Sequence, residues 1–405
     1  MKAVVFHGVG DIRLEDVDEP KIQEPNDAIV ALTASAICGT DLHFIRGTVS
    51  GMEKGTILGH EGVGIVEEVG KNVRNLSAGD RVVIPSTIGC GNCSYCRAGY
   101  YAQCNYANPN HSGTAFFGGP KTSGSFHGLQ AERARVPFAN VGLVKLPEEV
   151  DDDRAILLSD IVPTAYMAVE NAQIKPGNTI AVFGLGPVGQ FCVACAKFFD
   201  VGRIMAVDTI PSRLEMAQAQ GAEIIDFNQE DPIEAIKELT GGIGVDRVID
   251  AVGVDANRPH RGPAAKEAEK KHAKEKEKTA PDAKPKNGNW EPGDASSMVL
   301  EWGVKSVAKA GTISLIGVYG KVDTYPIGDA FEKNLTLMMG NCNHRRYLPH
   351  LIELVGTGAI DPAQILTQRE PMTSAIEAYK AFDKRQPGWI KVKLEPEAAE
   401  EMKAA

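Results

Sequence analysis

Two groups of residues have the types and spacing to hold metal ions. Cys90, Cys93, Cys96 and Cys104 form a C-x2-C-x2-C-x7-C run. Four thiolates this close can wrap one tetrahedral ion at Zn–S distances of about 2.3 Å, and four protein ligands leave no open position, so such a site is structural. An iron–sulfur cluster is the competing occupant. The second group is dispersed. Cys38 lies in Ile37-Cys38-Gly39-Thr40-Asp41-Leu42-His43, and His60 in Gly59-His60-Glu61-Gly62-Val63-Gly64. Either histidine alone reads more simply as a packed residue. Joined by Cys38 and a later carboxylate, His60 completes a three-ligand zinc set with a fourth position left for substrate, the pattern of a catalytic zinc.

A third constellation binds phosphate. Gly184-Leu185-Gly186-Pro187-Val188-Gly189 follows an apolar strand, TIAVF, and opens a helix. In that setting Gly184 allows the tight turn, Gly186 lets backbone approach a pyrophosphate, and Gly189 lets helix and strand pack closely. The helix N-terminus favours the anion. The next strand ends at Asp208, nineteen residues after Gly189. An acid there accepts hydrogen bonds from the ribose hydroxyls and repels a 2′-phosphate, so NAD is expected over NADP, with Arg213 positioned to soften that repulsion.

The elements that must position these residues change character along the chain. Residues 1–150 are strand-rich, with β-branched runs such as AVVF, IVALTAS and DRVVIP between turn signals. Helical spacing begins near Asp151, and from Asn178 strands alternate with helices, which predicts a doubly wound parallel sheet. The spacing places Cys192 and Cys195 on the helix after the glycine turn as core thiols, and Cys342 as a structural residue. His127 and the run His344-Arg345-Arg346 have no settled role by sequence. Between residues 257 and 294 the composition shifts. This stretch has no aliphatic residue larger than Ala, and residues 258–294 carry ten Lys/Arg against seven Asp/Glu, a net of +3. It reads as a solvated insertion, part helix and part loop, or else as a flap over a ligand.

The chain has 405 residues, enough for two or three domains. Its net charge of −10 argues against a nucleic-acid or acidic-lipid surface. Forty-two glycines exceed the usual share of about 7% and indicate tight turns or backbone close to a ligand. No run approaches the ~20 apolar residues of a membrane span, and the first residues resemble no secretory leader, so a cytoplasmic location is expected.

Taken together, Gly59-His60-Glu61-x2-Gly64-x5-Gly70, the CGTDLH segment, the cysteine lobe, GLGPVG and Asp208 resemble the zinc-containing alcohol dehydrogenases of the medium-chain dehydrogenase/reductase family. Leu158 to Thr164 and an insertion after Asp250-Ala-Val-Gly253 are similar to the glutathione-independent formaldehyde dehydrogenase branch, although this insertion is longer and more charged. The segment after Gly340 resembles ordinary alcohol dehydrogenases instead. The resemblance implies a GroES-like β-rich catalytic domain over residues 1–161 and 343–405, and a Rossmann nucleotide domain over 162–342 that carries the insertion. It implies two zinc ions per chain, one catalytic and one structural, with Asp160 as the third catalytic ligand beside Cys38 and His60. Without it, Asp160 reads as a helix-capping acid.

The same resemblance implies reversible hydride transfer between a small alcohol or aldehyde and NAD. Thr40 would take the hydroxyl proton and pass it through the cofactor ribose to His43 at the surface. Asp41 would orient His60, and Glu61 would ligate zinc transiently. Thr164, Val252 and Lys391 are implied cofactor contacts, Lys391 at the pyrophosphate. A homodimer or homotetramer is expected. The competing readings are a polyol, sugar or threonine dehydrogenase, a formaldehyde dismutase, a metal-free quinone reductase and a non-enzymatic NAD-binding sensor.

Overall fold

The computed structural model describes residues 1–108, 113–320, 322 and 324–397. Two sheets carry the site. The strands Glu223–Asp226, Arg203–Asp208, Thr179–Phe183, Val245–Asp250, Val307–Leu315 and Thr336–Met339 lie side by side in that order. Every pairing among them is parallel. The order starts from the middle and runs outward on both sides. That places a switch point beside Thr179–Phe183, where open parallel sheets bind ligands. In Thr179–Phe183, consecutive Ile180, Ala181 and Val182 are all buried, so both faces of the strand are covered, as in a helix-flanked parallel sheet.

The second sheet has seven strands and is built largely from antiparallel pairs. Its centre is Ala28–Ile37, buried at all ten positions. This strand pairs with Gly62–Val69, Arg133–Val136 and Val392–Glu395. Strands from residues 28–145 and from residues 368–395 therefore share one sheet, and the chain leaves it to form the parallel sheet before returning.

Helical spacing from Asp151 gives two helices, Asp152–Leu158 and Ile161–Asn171. Asp151 caps the first, accepting a bond from the Arg154 peptide N–H. Asp160 occupies the N-cap position of the second but makes no capping bond with its side chain. The carboxylate is turned elsewhere, and the interruption of the helix is what frees it to do so.

The insertion corrects one expectation. Its first part is helical, over Ala265–His272 and Glu275–Thr279. Its last part is not solvated. Trp290 is only 4% exposed and packs in a cluster with Val4, Phe6, Ile45, Tyr379 and Phe382. An indole of that size buries too much apolar surface to remain in a charged loop when a core face is within reach. Of the insertion only Asn257, at its neck, lines the central cavity, so its charged helices do not cover that space.

Trp290→Ala should therefore cost about 3 kcal/mol, the usual range for a large buried aromatic. It should also expose the lysines of 266–286 to trypsin. Unfolding in denaturant and limited proteolysis check both; an unchanged midpoint with intact resistance would show that Trp290 does not anchor the segment.

Candidate active site

The two sheets and their connecting helices enclose a cavity of about 560 Å³. Cys38, Thr40, His43, His60, Asp160 and Thr164 line one end, and Gly184, Gly186, Pro187, Val188, Asp208, Arg213 and Val252 line the other.

At the first end, Cys38 precedes the helix Gly39–Arg46, and its peptide N–H donates to Asp41 Oδ2 at 3.0 Å. His60 arrives just ahead of strand Gly62–Val69. Asp160 arrives from the helix break. Donor atoms of Cys38, His60, Glu61 and Asp160 all lie within 4.8 Å of one another. Cys38 Sγ is 3.7 Å from Asp160 Oδ2, and His60 Nε2 is 3.4 Å from the same oxygen. Tetrahedral zinc at normal N, O and S bond lengths separates its ligands by about 3.3–3.8 Å. The donor set fits that ion.

The electrostatics fit it as well. Burial pushes the Cys38 thiol up. Burial would also raise Asp160, but hydrogen bonds from His344 and His60 overcome it and hold the carboxyl well below its usual range. Burial pushes Glu61 up to about 7 against the pull of Lys391. Glu61 Oε2 is buried with no hydrogen-bond partner. An orphaned carboxylate oxygen beside three other donors is satisfied by a cation. Asp41 Oδ1 stands 3.3 Å from His60 Nδ1, at ion-pair range though not aligned as a hydrogen bond, and so contacts the ring on the side away from the other donors.

His344, left without a role by sequence, belongs to this site. Its Nε2 is 2.7 Å from Asp160 Oδ1, and its Nδ1 is 3.1 Å from Thr87 Oγ1. Thr164 Oγ1 donates to the same Asp160 oxygen at 2.9 Å. One carboxylate oxygen is thus held by two donors while the other faces Cys38 and His60. The sequence carried no periodic signal for His344, which lies 184 residues from Asp160.

Two sequence expectations need correction. Lys391 is not at the glycine turn. Its side chain is fully buried, 2.5 Å from Glu61 Oε1, and also donates to the Ile37 carbonyl. A buried carboxylate so close outcompetes a distant anion for the ammonium group. His43 is not at the surface. It is 6% exposed, and its Nδ1 lies 2.8 Å from Asp255 Oδ2. Burial follows from the helix Gly39–Arg46, whose residues from Asp41 to Arg46 are all buried. His127 lies outside the cavity, where its Nδ1 accepts the Ile57 peptide N–H. Cys192 and Cys195 are core thiols, as expected, with burial pushing both upward. Cys342 is buried too, and it touches the cavity.

At the second end, the glycines are required by geometry. Gly184 has φ +84°, and a Cβ there would lie 2.4 Å from Val252 Cγ2. A Cβ at Gly189 would lie 1.8 Å from the Gly184 carbonyl oxygen. At Gly186 the nearest atom to a Cβ is Arg213 Nη1, at 3.9 Å, so the peptide faces open space. That opening suits a diphosphate. Asp208 accepts peptide N–H bonds from Leu185, Thr209 and Ile210, with Arg213 3.8 Å away. Arg385, which sequence reasoning missed, also lines this end. It occupies a left-handed position just past the helix Ala375–Asp383, where glycine is usual.

Apart from the cavity, Cys90, Cys93, Cys96 and Cys104 gather within 4.8 Å. Cys93 Sγ and Cys104 Sγ are 3.9 Å apart. Peptide N–H groups point at the sulfurs of Cys90, Cys93 and Cys104. Burial raises the Cys93 thiol, but N–H bonds from Cys96 and Asn105 win and hold it down to about 6. Burial pushes the Cys90 and Cys96 thiols up instead, so a cation among the four sulfurs is what would hold them all as thiolates.

Comparison with known proteins agrees with this geometry. The Alcohol dehydrogenase GroES-like domain family matches residues 24–148, and the Zinc-binding dehydrogenase family matches residues 187–259. The zinc-type alcohol dehydrogenase-like protein AdhB of Bacillus subtilis is 37% identical over 98% of this chain and 100% of its own. Alcohol dehydrogenase TADH from Thermus sp. ATN1 superposes with a TM-score of 0.80 at 32% identity, covering 98% of this chain and 100% of that one. The glutathione-independent formaldehyde dehydrogenase of Pseudomonas aeruginosa is 35% identical, but over 63% of this chain and 66% of its own.

The unaltered protein is expected to bind about two zinc ions per chain, Cys38→Ser about one, and Cys104→Ser to lose the other. Metal analysis of the purified variants measures this. Full zinc in Cys38→Ser would remove Cys38 from the ligand set.

Proposed function

This chain belongs to the zinc-type alcohol dehydrogenases of the medium-chain dehydrogenase/reductase family, and from that premise we propose that it interconverts a small alcohol and its aldehyde or ketone with NAD. The observation that carries the reading is one cavity with two chemistries. A buried Cys38, His60 and Asp160 donor set stands at one end, and a Gly184–Gly189 diphosphate turn at the other. A redox enzyme needs substrate and nicotinamide in a single water-poor space.

Zinc on this donor set supplies a Lewis acid that makes the alcohol proton easier to lose, and NAD supplies the hydride acceptor. The rest falls to the chain. Asp160 faces the donor set with one oxygen because His344 and Thr164 hold the other. Asp41 fixes the His60 ring from behind. Thr40 and His43 stand three residues apart on one helix and both face the cavity, so they offer a path for the substrate proton. Glu61, held by Lys391, keeps a free oxygen at the donor set and is placed to ligate transiently when substrate replaces water.

We assign residues 1–161 and 343–405 to the zinc-binding catalytic domain and 162–342 to the nucleotide domain, a division that the make-up of the two sheets supports. Phe44 and Phe116 stack at 6.2 Å, and Phe116 sets its edge against His60 at 6.3 Å. These rings make one wall of the substrate end apolar, which favours a short alkyl alcohol or aldehyde, formaldehyde included, over a sugar. No helix among the described residues is long and apolar enough to cross a membrane. We place the enzyme in the cytoplasm as a homodimer or homotetramer.

The purified zinc-loaded protein should reduce NAD with short alcohols and oxidise NADH with their aldehydes. Absence of turnover across alcohols, polyols, threonine and formaldehyde would overturn the enzymatic reading. NAD released on denaturation of the purified protein would favour the formaldehyde branch. Asp208→Ala should weaken NAD by roughly tenfold or more and improve NADP relative to it, since it removes the ribose-binding acid. An unchanged ratio of kcat/KM for the two cofactors would remove Asp208 from that role.

A further inference from the structure

Asp255 lies just beyond strand Val245–Asp250, at the mouth of the insertion, and lines the cavity. It is 6% exposed. Its Oδ2 receives His43 Nδ1 at 2.8 Å and Arg46 Nη1 at 2.9 Å. Its Oδ1 accepts the peptide N–H of Gly293 at 3.0 Å, where the insertion returns. Two donors from the helix Gly39–Arg46 and one from the returning insertion therefore hold one buried carboxylate against the histidine. Burial would push Asp255 up, but Arg46 and then His43 hold it well below the carboxylate range.

The insertion is built to keep it there. Arg258 and Asp294 clasp its neck: the Arg258 peptide N–H donates to Asp294 Oδ1 at 2.8 Å, and Arg258 Nε pairs with Asp294 Oδ2 at 3.0 Å. At its far end, Trp290 N–H and Asn289 Nδ2 donate to Asp383 Oδ2 at 2.7 and 3.1 Å. Asp383 Oδ1 in turn pairs with Arg46 at 2.8 Å. Arg46 thus bridges the two acids that the insertion touches. The charged groups around His43 are Asp255 from the parallel-sheet half, Arg46 from its own helix, and behind Arg46 the Asp383 and Arg385 side chains.

We propose that Asp255 is a positioning residue for proton transfer: it fixes His43 through Nδ1, turns Nε2 into the proton acceptor facing the cavity, and is itself held in place by the 257–294 insertion. The inference rests on the reading of Thr40 and His43 as the proton path. In alcohol oxidation the substrate O–H bond breaks, its electron pair stays on oxygen, and the proton ends on His43 Nε2 by way of Thr40. Hydride leaves the substrate carbon for NAD. The imidazolium so formed is balanced by Asp255 rather than by solvent, which reaches little of a ring this buried. A carboxylate behind a histidine both sets the tautomer and stabilises the charge that develops.

The test uses the zinc-loaded full chain. Asp255→Asn should lower kcat for alcohol oxidation by about tenfold or more, less than the roughly 10²–10⁴-fold that a general base itself supplies, because Asp255 acts only through His43. Its Kd for NAD, read by titration, should stay within about twofold. Its solvent deuterium isotope effect should rise, because proton transfer then limits the rate. The double variant Asp255→Asn/His43→Gln should be no slower than His43→Gln alone, since the two residues act as one unit. Where Asp255→Asn proves unstable, Asp255→Asn/Arg46→Met is compared with Arg46→Met alone, since Arg46 also pairs with Asp383. Fully additive defects, or an Asp255→Asn enzyme with unchanged kcat beside a crippled His43→Gln, would overturn the inference alone. Undiminished kcat in His43→Gln would overturn the proton path itself.

Discussion

The constraint on which the molecule depends is a concentration of acidic donors in a dry place. Cys38, Glu61 and Asp160 meet His60 within 4.8 Å, with Asp41 directly behind the ring. Like charges this close, away from water, repel strongly unless a cation or proton sits among them. The fold accepts this cost and distributes relief around it. Lys391 is buried against Glu61, and His344 and Thr164 hold the far oxygen of Asp160. Each partner comes from a different part of the chain. The cluster thereby ties the end of the β-rich sheet, the helix break at Asp160 and the segment after Gly340 to one point.

Local motifs of this arrangement could be read from sequence, and long-range partners could not. The glycine turn was legible because its residues are constrained by neighbours a few positions away, Gly189 by the carbonyl of Gly184. The cysteine lobe was legible for the same reason. Cys38 and His60 were legible because ligand types are few and recur in short motifs. The resemblance puts Lys391 at the pyrophosphate, whereas its ammonium group is claimed by Glu61, 330 residues away, a partner that neither motif nor spacing reveals. His43 was placed at the surface because the sequence of its helix does not reveal that Asp255 will cover it, 212 positions on. Asp160 shows the intermediate case. Its neighbours predict a cap, and it does occupy the cap position, but its carboxylate serves the cluster.

The charged insertion illustrates why composition can mislead. Its lysines and glutamates do describe exposed helices, and several pair with each other or with neighbours, as Lys276 does with Glu291 at 2.5 Å. Such exposed pairs contribute little stability. The residues that fix its position are a minority: Trp290, Asn289, the Arg258–Asp294 clasp, and Glu275, which accepts bonds from Ser296 and Ser297. Average charge reports the solvated face of the segment and is silent about the minority that docks.

That docking constrains how the cleft can move. The neck of the insertion belongs to the parallel-sheet half, where Ala295 N–H bonds the Ala256 carbonyl at 3.0 Å. Its tip is held by Asp383 and the Lys380 carbonyl, next to a strand of the other half. A rigid-body opening of the cleft must then break Asp255 from both His43 and Arg46, or break the tip from Asp383 and withdraw Trp290 from its core. The first route strands a buried carboxylate and removes the histidine's partner. The second exposes a large apolar surface. Either is costly relative to the few kcal/mol that usually separate conformers of a hinged enzyme. The contacts that hold His43 against Asp255 are therefore also the contacts that resist opening of the cleft, so the proposed proton path and restricted opening have one structural origin.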